Sequence, residues 1–342
     1  MVIRASEEQG LSRRRICTVI QISERRIRHW EKRMDRLRDQ KPGWSCAPHR
    51  LLPKEKRAIL IMGKDERYVD DSHRVLAAKG TDLDLFHASA SAVYRVLREA
   101  GLTTDRSGRA ARNGKRTKPD RPELSGRNQR WCWDISYLKT TLKRTFLYLY
   151  VLLDEYSRKV IAWRISHNLS HQEGKELIED GLINENLSGK GSTMPDVYND
   201  RGVQMKAKPF MAMLQDLGMA QKFTRPRTPN DNPFIESHFS IVKGHTEYPE
   251  EFPLDDIFAL TYFTGYFQWY NNDRLHGGID FVTPVQKHTG EDRAILAQRK
   301  LKKIQARKNR IKQNTLFLPV AFGTPLVIKE CNRILMSAEN GL

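Results

Sequence analysis

The stretch from Arg130 to Ser166 constrains the fold more than any other part of the chain. Trp131 to Thr140, Thr145 to Asp154 and Val160 to Ser166 are apolar and aromatic with a period of two, and they read as three strands. A parallel crossover needs about a dozen connecting residues. The connections here are shorter, so the three strands form an antiparallel meander. His171 to Asn184 then reads as a helix, Asp196 to Asn199 as a short strand, Lys206 to Leu217 as a helix and Ala220 to Phe223 as another short strand. A further helix starts at Pro233, with Asn232 at its cap and proline in its first turn. A meander followed by αβαβα predicts an α/β domain, a mixed five-stranded sheet with helices on its faces. Right-handed connection places the fourth strand beside the first, at the open edge of the meander. Leu254 to Tyr270 reads as one more, aromatic-rich helix.

The chain before this domain is helical and basic. Within residues 1–40, Ile16, Val19, Ile20, Ile27, Trp30 and Met34 recur at helical spacing, and Ser12 and Ser23 stand where two short helices need caps. The short turn Gln21 to Ser23 between them gives a helix-turn-helix layout, with Arg25, Arg26, Arg28 and His29 facing a groove or its phosphates. Residues 41–102 form a second helical, helix-turn-helix-like block, with helices at Lys54 to Met62, Val69 to Ala78 and Ser89 to Ala100, the last closed by Gly101. Residues 103–129 carry Arg, Lys, Gly, Asn, Ser and Pro with almost no apolar residue, and read as a basic linker that can lie along a phosphate backbone. Residues 130–290 are the sheet domain. Residues 291–342 are a basic extension, helical over Arg293 to Lys312 and followed by a possible small β module over Thr315 to Met336.

Charge narrows the partner. Lys and Arg number 59 against 41 Asp and Glu among 342 residues, a net charge of +18, which favours a polyanion and nucleic acid first. The longest clean apolar run, Phe146 to Leu153, is far short of the roughly 20 residues of a membrane span, and no signal-like stretch follows Met1. The expectation is a soluble, cytoplasmic protein with no membrane partner. Cys17, Cys46, Cys132 and Cys331 lie far apart without a CxxC pair, which disfavours a zinc knuckle or redox motif and suits buried reduced thiols.

In so basic a chain, acids at the ends of core strands need a reason. Asp134 lies in the first strand within WCWDISYL, Asp200 ends the fourth in VYNDRG, and Glu236 lies on the helix opened by NDNPFIES. A single strand-end Asp ordinarily caps a turn. Three that the topology gathers at one rim repel unless protonated or neutralised by metal. Their hard oxygen ligands select Mg2+ or Mn2+, and a pair of such ions suits in-line displacement at a phosphodiester.

These segments, with YNNDRLHGG and TPVQ further on, resemble bacterial insertion-sequence transposases of the DDE type, whose catalytic core is retroviral-integrase-like and RNase H-like. Asp200 and Glu236 are separated by 35 residues, the spacing behind the name DD35E. The resemblance spans about Arg130 to Lys287. It implies Asp134, Asp200 and Glu236 as the catalytic, metal-binding triad, two Mg2+ or Mn2+ ions, and a DNA contact for Lys243 on the same helix face as Glu236. Asp154 matches a family position and reads as a structural turn partner of Arg158. Tyr270, Asn271, Arg274 and His276 match the motif after the core, where packing or DNA-backbone contact is expected, with Arg274 as a DNA-binding candidate.

The implied function is a DNA transposase that binds the terminal inverted repeats of its element and performs metal-dependent 3′-end cleavage and strand transfer through a circular intermediate. The implied partners are double-stranded end and target DNA and further copies of the chain, as a dimer or higher oligomer, in the bacterial nucleoid. No His-His-Cys-Cys module precedes the core, so end recognition falls to the N-terminal helices. The alternatives are a domesticated, catalytically silent DNA-binding regulator and an RNase H-like nuclease without strand transfer.

Overall fold

A computed structural model describes residues 9–32, 47–103, 122–187, 193–200, 202–223 and 232–316. The chain divides into two units, one of residues up to Arg50 together with those from Arg310, the other Leu51–Asn309.

In the first unit, α1 (Arg13–Val19) and α2 (Glu24–Glu31) are joined by a turn in which Gln21 has φ 54°. Ser12 and Ser23 occupy the cap positions, but neither side chain makes the cap hydrogen bond. Ile16, Cys17 and Ile27 are buried, whereas Val19 and Trp30 are exposed, so the apolar seam is narrower than the sequence pattern suggested. Met34 lies outside the described residues. Asn314 donates to the carbonyls of Pro48 and Arg50 at 2.7 and 3.0 Å.

The second unit opens with a three-helix cluster, α3 (Pro53–Lys64), α4 (His73–Asp82) and α5 (Ala90–Glu99). Ile59, Met62, Leu76, Phe86, Val93 and Leu97 form its core. The expected helix from Val69 starts later. Glu66–Tyr68 is a 3-10 turn, Val69 is exposed, and Ser72 Oγ accepts from the Val75 amide to open α4. Gly101 has φ 68°, the left-handed conformation that glycine tolerates after a helix.

The sheet contains β1 (Arg130–Lys139), β2 (Phe146–Asp154), β3 (Val160–Ser166), β4 (Asp196–Asn199) and β5 (Gln221–Phe223), ordered β3-β2-β1-β4-β5. The first three strands are antiparallel, and β4 and β5 join parallel on the β1 side. This is the RNase H-like arrangement. On one face, α6 (His171–Asn184) and α7 (Lys208–Asp216) cover Trp131, Trp133, Tyr150 and Leu152. Gly174 and Gly181 let α6 approach; a Cβ on Gly181 would lie 2.5 Å from Leu152, and one on Gly174 3.0 Å from Trp133. On the other face, α8 (Pro233–Lys243) and α9 (Asp256–Asn272) cover Cys132, Leu138, Leu149 and Val151 with Ile235, Phe239, Val242, Phe263 and Phe267. Period-two alternation on β1 thus sends its tryptophans to one helical layer and Cys132, Asp134 and Leu138 to the other.

A short helix α10 (Pro284–Thr289) follows, opened by a capping box between Thr283 and Gln286. The long basic helix α11 runs Asp292–Leu316, so Thr315 is helical; the proposed β module from residue 317 lies outside the described residues. Within the second unit α11 is not a purely phosphate-facing surface. Buried Arg299 forms a two-pronged ion pair with Asp82, 2.5 and 2.7 Å, and donates to the Phe281 carbonyl, while Lys302 pairs with Asp84. Of the linker 103–129, residues 104–121 lie outside the described residues. No described helix is long and apolar enough to cross a membrane.

Candidate active site

Asp134 lies midway along β1. The parallel β1–β4 register runs to Cys132 opposite Tyr198, and two residues further on each strand come Asp134 and Asp200. Tyr198 packs with Cys132 on the α8 side, and alternation gives Asp134 and Asp200 that same side. Glu236 is in the first turn of α8, whose Ile235, Phe239 and Val242 are buried against this face. The apolar seam therefore fixes the helix and leaves Glu236 and Lys243, seven residues apart, exposed on its rim.

Electrostatics shows that the charges converge. Burial, followed by the nearby Asp200 and Glu236, pushes the Asp134 carboxyl up to about 7, against the opposing pull of an Ile135 amide hydrogen bond of 2.8 Å and the Lys243 charge. Asp200 accepts from the Gly202 amide at 2.8 Å and is exposed. Among the described residues, no three His, Cys, Asp or Glu side chains stand close enough to hold a metal ion. The three acids thus share one electrostatic neighbourhood without closing to coordination distance. As donors they are all hard carboxylate oxygens, the set that fits Mg2+ or Mn2+.

The other candidates separate into exposed and packed groups. Arg25, Arg26 and Arg28 are exposed on α2; Arg28 pairs with Glu24 at 2.6 Å and Arg26 stacks over Trp30. Arg274 is partly buried over the Trp269 ring, 5.5 Å from its centroid. Tyr270 is buried. Asn271 bonds both the amide and the carbonyl of Val160 at 2.9 Å and pins α9 to β3. The His276 Nδ1 accepts from the Gly278 amide, and burial, with help from Arg274 and Arg158, lowers its imidazole to about 4. Tyr270 and Asn271 of the motif after the core thus serve packing.

Asp154 has Arg158 as a turn partner through the backbone, and its side chain has further partners the sequence did not suggest. Its carboxylate accepts from the Asn128 amide and from the amide and hydroxyl of Ser157, at 3.0, 2.8 and 2.6 Å. Arg158, at φ 66°, gives Asp154 only its backbone amide; its guanidinium lies 3.6 Å from the Phe234 ring centroid, against the first turn of α8. Ser157 Oγ in turn contacts His288 Nδ1 at 2.9 Å, and His288 Nε2 contacts Glu185 at 2.7 Å. Lys159 and Asn128 complete Glu185 at 2.6 and 2.8 Å. Sequence reading missed this buried network. The Thr283–Gln286 capping box was the available signal that a helix, and with it His288, packs there.

Another unforeseen group is His238, 1% exposed on α8, with no hydrogen-bond partner for either ring nitrogen. It stacks on Phe267 and meets Tyr270 edge-on, and burial, then the His276 and Arg274 charges, lowers it to about 3. Of the four cysteines, Cys17 and Cys132 are buried and in no disulfide; Cys46 and Cys331 lie outside the described residues.

The comparisons agree with this arrangement. Two models described as integrase core domain match residues 125–229 and 217–284. The transposase for insertion sequence element IS904 of Lactococcus lactis is 27% identical over 46% of this chain and 60% of its own length. Transposase InsF for insertion sequence IS3A of Escherichia coli is 30% identical over 47% of this chain and 54% of its own. The chain thus spans little more than half the length of these relatives. A chain of the simian T-cell lymphotropic virus intasome is similar at 15% identity and a TM-score of 0.40, over 66% of this chain and 73% of that one. Residues 125–284 thus match the integrase core domain and are similar to the corresponding part of bacterial insertion-sequence transposases.

Proposed function

We propose that this protein is a DDE transposase. It binds the terminal inverted repeats of an insertion element, hydrolyses the 3′-end phosphodiester and joins the freed 3′-hydroxyl to target DNA. The observation that carries the reading is the convergence of Asp134, Asp200 and Glu236 charge at the rim of an integrase core sheet, with Lys243 beside it.

In this reading Asp134, Asp200 and Glu236 hold two divalent ions. When bound, Mg2+ or Mn2+ supplies neutralisation of the carboxylates and polarisation of the attacking and leaving oxygens. Each step forms one P–O bond and breaks one, with water and then the 3′-hydroxyl as nucleophile. Lys243 contacts a phosphate near the scissile bond. Arg25, Arg26 and Arg28 on α2 read the element ends, because arginine on a recognition helix pairs with guanine in the major groove. Arg274 acts by packing, as its stacking on Trp269 supports. Two ends must be handled together, so the active form is a dimer or larger assembly on DNA in the bacterial cytoplasm.

The test uses the full chain, Mg2+ and a duplex carrying the inverted repeats that flank the coding region. Cleavage at the 3′ end and joining to a plasmid are expected. End binding without cleavage would mark a silent regulator, and cleavage without joining a nuclease.

A further inference from the structure

The α6-facing side of the sheet continues past the helix that covers it. Cross-strand register places Tyr137 opposite Tyr148 and Lys139 opposite Phe146, on the same face as Trp133 and Tyr150. Trp133 and Tyr150 are fully buried, and the Tyr150 hydroxyl donates to the Asn168 carbonyl just before α6. Beyond that point the face opens, with Tyr137 51% and Phe146 37% exposed. Tyr137 stands edge-on to both Phe146 and Tyr148, with ring centroids 5.8 and 5.2 Å apart. β4 pairs with β1 only as far as Cys132; past that the β1 edge is bonded to Phe252 through the Lys139 carbonyl and the Thr141 amide, while the face that carries Tyr137 stays open.

Apolar burial does not explain rings this exposed, and the charge around them is of one sign. Lys139, Lys143 and Arg144 are exposed on the strand end and hairpin turn, and no acidic residue occurs between Asp134 and Asp154. Exposed rings beside Lys and Arg are what binds single-stranded nucleic acid, where bases stack on aromatics and phosphates meet Lys or Arg. The β1–β2 ribbon is also close to the candidate chemistry. Tyr137 is three residues beyond Asp134, about 10 Å along the strand at about 3.4 Å per residue, and on the opposite face of the sheet.

We propose that the β1–β2 ribbon is a stacking platform for unpaired bases, with Tyr137 and Phe146 meeting base faces and Lys139, Lys143 and Arg144 meeting the backbone. It takes a frayed or single-stranded DNA segment next to the site of cleavage. This rests on the polynucleotide reading above and adds a DNA form and a surface to it.

The test is fluorescence anisotropy with the full chain, a labelled single-stranded oligonucleotide and, separately, a labelled duplex, across a salt series. Tyr137→Ala combined with Phe146→Ala should weaken single-strand binding about tenfold while duplex binding changes little, and Tyr137→Phe should retain wild-type affinity. Lys139→Gln with Lys143→Gln and Arg144→Gln should flatten the salt dependence of single-strand binding. Unchanged single-strand affinity in the double alanine variant, with duplex binding intact, would overturn the platform and leave the transposase reading standing. So would a changed oligomeric state by light scattering with unchanged single-strand affinity, which would make the ribbon a protein interface. Wild-type protein that binds neither DNA form would defeat the wider reading and the platform with it.

Discussion

Two groups of carboxylates in one domain are treated in opposite ways. Asp154 and Glu185 are buried, and hydrogen-bond donors surround both: the Asn128 and Ser157 amides, the Ser157 hydroxyl, His288, Lys159 and the Asn128 side chain. Burial alone would raise Glu185, yet the bonds from His288, Asn128 and Lys159 overcome it and hold the carboxyl at about 2. Asp134 is given one backbone amide and two like charges, and is pushed up to about 7. The structural carboxylates are ringed by donors, whereas buried Asp134 has a single backbone amide and two carboxylate neighbours, as a group in a site that receives a cation does. Asp154 is the instructive case, since its sequence context looks as suggestive as that of the triad.

The sharpest way to break this contrast is to neutralise the rim. Asp134→Asn, Asp200→Asn and Glu236→Gln should each lower Mg2+-dependent cleavage and joining by at least about 100-fold, comparable to losing one stabiliser of developing charge. End binding should survive, measured on the same duplex. Near-normal cleavage by any one variant would remove that residue from the triad.

The satisfied network should respond in stability. His288→Leu removes one partner of Glu185 and of Ser157 while Lys159 and Asn128 stay on Glu185, and should cost about 2 kcal/mol in urea unfolding, as expected for losing a hydrogen bond to a charged group. Burial lowers the His288 imidazole, but bonds to Asp154 and Glu185 more than compensate and raise it above 6.5. The histidine contribution is full below pH 6.5 and declines as pH rises through the folded value; the Glu185 contribution is present above pH 4.5 and lost as pH falls toward 2. The gap between wild type and variant is therefore largest between pH 4.5 and 6.5. A gap independent of pH would mean that only packing was lost.

His238 offers a smaller test. Both of its ring nitrogens lack partners inside an aromatic shell, so His238→Phe should be neutral or stabilise by up to about 1 kcal/mol in thermal unfolding. A clear loss of stability would mean that the imidazole has a polar role there.

Legibility of the sequence differed along the same line. β3 and α6 occur at the bounds their patterns predict, because Val160 to Ser166 and His171 to Asn184 are flanked by turn and cap residues that act locally. The places of two rim acids were legible from local features, Asp200 just past β4 and Glu236 in the first turn of a helix that starts at a proline, whereas Asp134 lies midway along β1 and not at the strand end its context suggested. The network was not legible, because His288 and Glu185 are 103 residues apart and meet only after α10 docks. Nor does spacing reveal pairing. Arg158 is the turn partner of Asp154 through its backbone amide, but nothing local revealed that its side chain lies over Phe234. Val69 misled through its apolar character, where Ser72 set the helix start.

Buried Asp134, beside two further carboxylates, carries its charge at a cost to stability that a bound divalent cation would relieve. Because the folded value of Asp134 lies above its ordinary 3.8, its charge costs stability as pH rises from about 4 to about 7 and no further beyond. The direct measurement is thermal unfolding at pH 8 of wild type and Asp134→Asn, with and without Mn2+. Without metal the variant should be more stable by on the order of 2 kcal/mol, and Mn2+ should raise the wild-type midpoint but leave the variant nearly unmoved. Equal stability without metal, together with equal shifts on adding Mn2+, would contradict the account.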